Sequence, residues 1–354
     1  MNNIPNIIYS GVYRGGHVQG IAVDKKNGFI YYSFTTVLVK TDLLGKTIGS
    51  VVHLAGHLGC LAYDSERDCV YGSLELKHDS IGKGIIANTG WDPCKEDNFY
   101  LVCFDCKAIT KMQMDAEKDG IMQAVHLQEV CKDYAETDEC SGKKHRYGCS
   151  GCDGTGFGPI FGADKNSPKK IMIAYGIYSD VERTDNDYQV ILQYDPSIFV
   201  EYGRPLNQSQ PHKSGPKACE AKYFFYTGNT TWGVQNLEYD SYSQIWFVAV
   251  YKGQKQKFMN FSMFMIDAKK SAVAKTLIGR QELGLVLESA TIGENGKQMD
   301  IFGSYFPYGS TGIASLEEGF LYFSQEGSDG TGGFYTNVVK YRLKDGNPYL
   351  FEKV

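Results

Sequence analysis

The sequence predicts an all-β fold: a single β-propeller of five blades, with four antiparallel strands in each. Three observations carry that prediction. First, the 354 residues hold 40 Gly and 13% aromatic residues but only 10 Pro, a composition that suits short strands joined by tight turns. Second, the stretch Gly16-His17-Val18-Gln19-Gly20-Ile21-Ala22-Val23-Asp24 recurs 40 residues later as Gly56-His57-Leu58-Gly59-Cys60-Leu61-Ala62-Tyr63-Asp64. Third, apolar runs that end in Asp and a turn recur behind these units, as in Val37–Asp42, Tyr100–Asp105, Val190–Asp195 and Phe264–Asp267. A self-similar unit of this size, built of alternating strands and Asp/Gly turns, marks radial repetition.

The elements follow in order. Ile30–Ser33 aligns with Val70–Ser73 as the second strand of units one and two. Looser copies start at Gly156, Trp232 and Gly312, each followed by an apolar second strand (Ile171–Tyr175, Ile245–Val250 and Phe320–Ser324). A fourth strand, such as Thr47–Leu54, leads to the next copy. The expected blades span about residues 14–55, 56–130, 148–227, 228–280 and 308–354. The last copy lacks an outer strand, and residues 5–13 are expected to supply it, tying the two ends of the chain together and covering an exposed edge. A six-bladed alternative places one more blade in Leu283–Tyr308.

The Gly20–Asp24 pattern, Gly-x-Ala-x-Asp in its recurring form, resembles the blade entry of NHL-type and gluconolactonase-like propellers. The resemblance covers most of the chain as architecture, but its motif is specific only in the first two blades. It implies a propeller and does not assign an enzyme, because propellers host hydrolases, lyases, lectins and scaffolds.

The candidate site follows from propeller geometry. Residues just before each inner strand, and the loops between second and third strands, open at one mouth of the central channel. His17 and His57 occupy the same place in adjacent units. Two imidazoles side by side can ligate one metal, with Glu75 and Asp153 completing a set for Zn, Mn or Ca. The same carboxylates, with Glu326, would alternatively serve as general acid and base. Gln19, Gln235, Asn236 and Thr311 are expected to orient substrate. Trp232, Tyr178 and Tyr251 would stack against it, and Lys77 and Arg183 would hold a phosphate or carboxylate on it. The stretch Leu76–Asn98 reads as a lid. A bland alternative makes both histidines strand caps copied by duplication. His17 stands where five-bladed glycosidases carry an acid, which lowers a glycosidase reading.

Other features exclude more than they assign. Net charge is −5, with 36 Lys and Arg against 41 Asp and Glu, so no clustered basic surface points to nucleic acid. No apolar run approaches the roughly 20 residues of a membrane span. With Met1 as native start, the expected location is cytoplasmic, and the ten cysteines are expected to be reduced. Cys140, His145, Cys149 and Cys152 form a candidate structural zinc set. No P-loop, dinucleotide fingerprint or nucleophile elbow appears, so no nucleotide cofactor is expected. The first functional expectation is therefore a metal-dependent hydrolase or lyase acting on a small molecule at the channel mouth. A carbohydrate- or ligand-binding propeller and a protein-interaction scaffold are the alternatives.

Overall fold

The computed structural model describes residues 4–139, 141–290, 301–344 and 350–354. Strand β1 (Ile7–Tyr9) opens the chain. Blade one is β2 (Val18–Asp24), β3 (Phe29–Phe34), β4 (Val37–Asp42) and β5 (Thr47–Val52). Blade two begins with β6 (His57–Asp64) and β7 (Cys69–Leu76), is interrupted by helix α1 (Ser80–Thr89), and resumes at β8 (Asn98–Asp105). The two-residue β9 (Met114–Asp115) turns back to lie parallel to β5, and β10 (Met122–His126) completes blade two.

Helix α2 (Gln128–Ala135) then leads to blade three: β11 (Cys149–Pro159), β12 (Lys169–Ile177) and β13 (Tyr188–Tyr194), followed by the one-turn α3 (Ile198–Tyr202) and β14 (Ala221–Tyr226). Blade four is β15 (Thr230–Asp240), β16 (Ile245–Lys252) and β17 (Met263–Asp267). The hairpin β18 (Val273–Thr276) and β19 (Leu283–Val286) joins the outer edge of blade three, β19 running parallel to β14. Blade five is β20 (Ile313–Glu317), β21 (Phe320–Ser328) and β22 (Phe334–Leu343), with β23 (Phe351–Lys353) beside β22.

The five blades expected from the repeat are present. The inner strands β2, β6, β11, β15 and β20 contact one another in sequence, and β20 returns to β2, which closes the ring. Two details differ from the expected pattern. Residues Val273–Thr276, expected in blade four, pair into the sheet of blade three. Among the described residues, blade four keeps three named strands, and its outer edge is met by single bridges at Ser289 and Ser304. The chain leaves blade four to cover the edge of its neighbour, so Leu283–Val286 forms no sixth blade; residues 291–300 of that stretch lie outside the described residues.

Each middle strand is pressed between two neighbouring blades. This explains why β7 and β13 are buried at every position, and why their apolar runs are continuous rather than alternating. The repeated Asp has a local cause. Asp24, Asp64 and Asp240 accept backbone N–H bonds from Asn27, Glu66 and Ser243 at 3.0, 2.9 and 2.8 Å, fixing the turn that follows each inner strand. Among the described residues no helix is long and apolar enough to cross a membrane.

Strand β1 closes blade five as expected. It pairs antiparallel with β22 in the register Ile7↔Val339, Ile8↔Val338 and Tyr9↔Asn337. Ile8 is 1% exposed and Ile7 53% exposed, so only Ile8 enters the core. Ile8→Ala is expected to lower unfolding free energy by about 2–4 kcal/mol in urea denaturation, and Ile7→Ala by less than about 0.5 kcal/mol. Equal effects would mean that the closure is not held by side-chain burial.

Candidate functional site

A cavity of about 370 Å³ opens at the channel mouth that the inner-strand entries share. At its base lie His57, Glu75 and Asp153, which are 6%, 2% and 9% exposed. Glu75 faces His57 across the register of β6 and β7, and Asp153 comes from β11 of the next blade. One potential ligand atom from each lies within 4.8 Å of the other two, the only such group among the described residues. His57 Nδ1 is 3.1 Å from Asp153 Oδ1 and 3.5 Å from Glu75 Oε2. None of these three buried atoms makes a well-angled hydrogen bond.

The remaining atoms of the group are held firmly. Glu75 Oε1 accepts the Cys152 N–H at 2.7 Å, and Asp153 Oδ2 accepts from Gln235 Nε2 at 3.1 Å. Lys77 is buried, with Nζ 2.8 Å from Glu75 Oε2, donating to Ser150 O at 2.9 Å and lying 3.5 Å from Asp79 Oδ2. Burial alone would depress the His57 pKa, but Asp153 and Glu75 overcome it and lift the imidazole to about 9. Burial raises Asp153, and His57 beside it more than reverses this, leaving its carboxyl below the usual range. Lys77 is likewise pushed up by Glu75, Asp79 and Asp153 against its own desolvation.

Local backbone makes the group possible. Gly151 has φ +125°, and a Cβ there would overlap Glu75 Oε1. The bulge at Cys149–Gly151 thus brings backbone against a carboxylate where no side chain fits.

His17 does not join this group. Its Nδ1 lies 3.2 Å from Glu326 Oε2, and its Nε2 lies 2.8 Å from Gln19 Nε2. The repeat explains the difference. The 40-residue offset that aligns His17 with His57 also aligns Thr35 with Glu75 and Gln19 with Gly59. In blade one, Gln19 fills the space beside the histidine and donates to Thr35 Oγ1 at 3.2 Å. In blade two, Gly59 leaves room for Asp153, whose Oδ1 would sit 3.2 Å from a Cβ there. The expected two-histidine metal set is therefore a set of one histidine and two carboxylates, with His17 and Gln19 on the wall of the same cavity. Glu326 carries His17 and the Val18 N–H, at 3.0 Å, and stands apart from Glu75 and Asp153.

The other predicted residues divide. Trp232, Gln235 and Tyr251 line the cavity with Lys77. Lys77 is spent on Glu75 and Asp79. Arg183 is buried against Asp185 at 2.7 and 3.0 Å and against the carbonyls of Lys144 and His145, so the expected anion clamp is replaced by two internal ion pairs. Asn236 sits deeper on the axis, donating to Gln19 O and Ser310 O and accepting from Cys60 Sγ, where it ties blades together rather than meeting substrate. Thr311 bonds Ser324. Tyr178 donates to Asp79 Oδ2 at 2.9 Å and packs edge-on against Trp232.

The lid expected in Leu76–Asn98 is α1, which turns Ile81 and Ile85 to the cavity. Asp79 caps its first turn through Ile81 and Gly82 N–H at 3.0 and 2.9 Å. Phe334 also lines the mouth; nothing in the repeat marks it. The expected zinc set does not assemble. Cys140 lies outside the described residues, His145 Nδ1 is 2.7 Å from Tyr134 O, and Cys149 and Cys152 are core thiols that burial holds protonated.

The opposite mouth holds a feature the sequence did not suggest. Glu238 on β15 lines a cavity of about 200 Å³ there and accepts the Ser315 N–H at 2.7 Å. Burial pushes its pKa up to about 8.

The sequence matches no protein-family model and no curated protein. Among solved structures the chain is similar to the calcium structure of a Trichoderma reesei family AA12 carbohydrate-active enzyme, at 10% identity and TM-score 0.39, covering 90% of this chain and 80% of that one. It is similar to the PQQ domain of pyranose dehydrogenase from Coprinopsis cinerea, at 9% identity and TM-score 0.38, covering 90% and 81%. A third similarity is to the β-propeller domain of Myceliophteria thermophila Cps50 (Swd1), at 7% identity and TM-score 0.36, covering 95% and 73%. The blade count rests on this chain's own strand pairing, and the functional reading rests on its own residues.

Two outcomes are expected. Gly151→Ala should displace Glu75 and release the carboxylate from Cys152 N–H, lowering the thermal midpoint by a few degrees, at roughly 1 °C per kcal/mol for a chain of this size. An unchanged midpoint would mean that the bulge yields without disturbing Glu75. Glu238 titrates from an ordinary value of 4.5 unfolded to about 8 folded. Its contribution to stability is therefore complete below pH 4.5 and lost as pH rises through 8. Urea midpoints measured from pH 5 to 9 should fall less steeply for Glu238→Gln than for the unaltered chain; parallel curves would refute the assignment.

Proposed function

We propose that this protein is a small-molecule hydrolase or lyase whose active site is the channel mouth around His57, Glu75 and Asp153. One observation carries the reading: three buried ligand atoms from three strands converge within 4.8 Å of one another at an open cavity, held by ion pairs and by no well-angled hydrogen bond. Buried charges are costly unless paired, and one imidazole nitrogen with two carboxylate oxygens is a donor set for a divalent ion. The mixed nitrogen and oxygen donors favour Mn or Zn over Ca. A site that polarises a carbonyl suits esters and lactones as the substrate class.

An ion held there would polarise a carbonyl and make bound water more acidic. The chain's own groups complete the chemistry. Gln235 holds Asp153 in position through Oδ2. Glu326 fixes the Nδ1–H tautomer of His17, leaving Nε2 as the proton acceptor, which Gln19 occupies until substrate displaces it. Ile81 and Ile85 of α1 keep water from the upper cavity.

A second reading has its own observation. His57, lifted to about 9 between two carboxylates, would serve as a charged acid in a metal-free proton-transfer site, with Lys77 balancing Glu75. Elemental mass spectrometry on the full chain equilibrated separately with Mn²⁺, Zn²⁺ and Ca²⁺ separates the two. The metal reading expects about one Mn or Zn per chain, with affinity reduced about 100-fold or more by Asp153→Asn and unchanged by His17→Gln. No bound ion, with no effect of chelator on the thermal midpoint, would overturn it in favour of the proton-transfer reading.

A further inference from the structure

The mouth has a charge balance that bears on what it accepts. Lys77 is its one lining lysine or arginine among the described residues, and its Nζ already faces Glu75, Asp79 and Ser150 O. Arg183 is consumed elsewhere. No cation is left to receive a phosphate or carboxylate. Counting ion-paired neighbours with the lining groups, four acids stand against Lys77 and the two histidines: Glu75 and Asp153 on the cavity wall, Asp79 against Lys77 and Glu326 against His17. With all four ionised, this set stays negative in every protonation state of the histidines, and also with a divalent ion on the triad and both histidines neutral.

The mouth also has aromatic lining. Trp232, Tyr251 and Phe334 border the same cavity as Glu75 and Asp153. Tyr251 is close enough to Glu326 and Asp153 for both to raise its phenol, after the larger effect of burial. Trp232 is held in place at a cost. Its φ is +62° and that of Gly233 is +69°, so a bulky residue occupies the left-handed region inside the bulge of β15, a strained conformation. Tyr178 braces the ring edge-on at 5.9 Å. Aromatic rings, one of them on strained backbone, in one cavity with the buried carboxylates Glu75 and Asp153 suit a ligand with positive charge spread over apolar surface.

We propose that the mouth selects a small organic cation, an ester or lactone bearing a quaternary or protonated ammonium group. The ammonium rests on Trp232 and Tyr251, and the acyl carbon faces the triad. This deepens the reading above and rests on the mouth being the ligand site. The binding test uses choline and its uncharged isostere 3,3-dimethylbutan-1-ol, titrated calorimetrically into the full-length protein. Choline is expected to bind about 10-fold more tightly than the isostere, to weaken as NaCl rises, and to lose about 10-fold in affinity in Trp232→Ala, with Tyr251→Leu as a second variant if the first fails to fold. Equal binding of the pair, or binding of neither, would overturn the proposal. A trimethyllysine peptide that binds more tightly than choline would overturn its small-molecule part. Mn²⁺ titration of the same samples separates the two claims: choline binding without Mn²⁺ binding refutes the metal reading alone, and Mn²⁺ binding without choline selectivity refutes this one alone.

Discussion

The mouth depends on one arrangement, two carboxylates and two cationic side chains buried together where the inner strands of blades two and three meet. Such groups are expensive to remove from water, by several kcal/mol for each ion. Their mutual attraction at about 3 Å returns about 5 kcal/mol per contact at an effective dielectric of 20. These terms are of similar size and opposite sign, so the cluster is not explained by stability. An apolar set of the same volume would hold two blades together at least as well. The neighbourhood is nonetheless built around it. Gly151 is shaped to admit Glu75, Cys152 N–H holds one of its oxygens, and Ser150 O receives Lys77. Backbone from one short stretch of β11 thus fixes the charges contributed by β7, and the bulge in that strand is what aims Asp153 at His57.

The architecture was legible because propeller physics writes itself into sequence twice. Turn chemistry repeats as Asp24, Asp64 and Asp240, and the burial of middle strands on both faces repeats as continuous apolar runs. The closing role of Ile7–Tyr9 followed from a missing strand. Blade four was less legible, because an outer strand is a matter of which edge a hairpin covers. Nothing in Val273–Val286 says that blade three is its nearer neighbour.

The site was half legible, and the reason is specific. A repeat shows equivalent positions, and equivalence suggested that His17 and His57 act alike. The two histidines part where the repeat is broken, at Thr35 against Glu75 and Gln19 against Gly59. Those substitutions give one histidine an amide neighbour and the other a pair of carboxylates. Aligning the differences within the duplicated unit, rather than its identities, would have separated the two histidines. Lys77 and Arg183 failed as anion ligands for a related reason: sequence shows a charge but not its partner, and both partners, Glu75 and Asp185, lie within two residues on the same segment.

The two ends of the channel show that the fold itself does not dictate the chemistry. Glu238 and the triad both sit on or beside inner strands, and burial raises the pKa of the first while charge partners hold Asp153 low. At one end burial lifts an acid's pKa although Lys25, Lys26 and Lys169 line the same cavity. At the other, the cations beside Asp153, His57 first, hold its carboxyl low. Asn236, Cys60 and Thr155 fill the axis between them, so the two mouths are separated by packed side chains. Strain follows the same division. Thr35 and Trp232 take left-handed backbone at the triad end, where rings and hydroxyls are aimed into a cavity. Among the described residues bordering the Glu238 cavity, Glu317 is the left-handed non-glycine, at the turn that ends β20, where it reverses the chain. Backbone distortion that directs side chains into open space, beside charges the fold does not need, is what distinguishes the first mouth from the second.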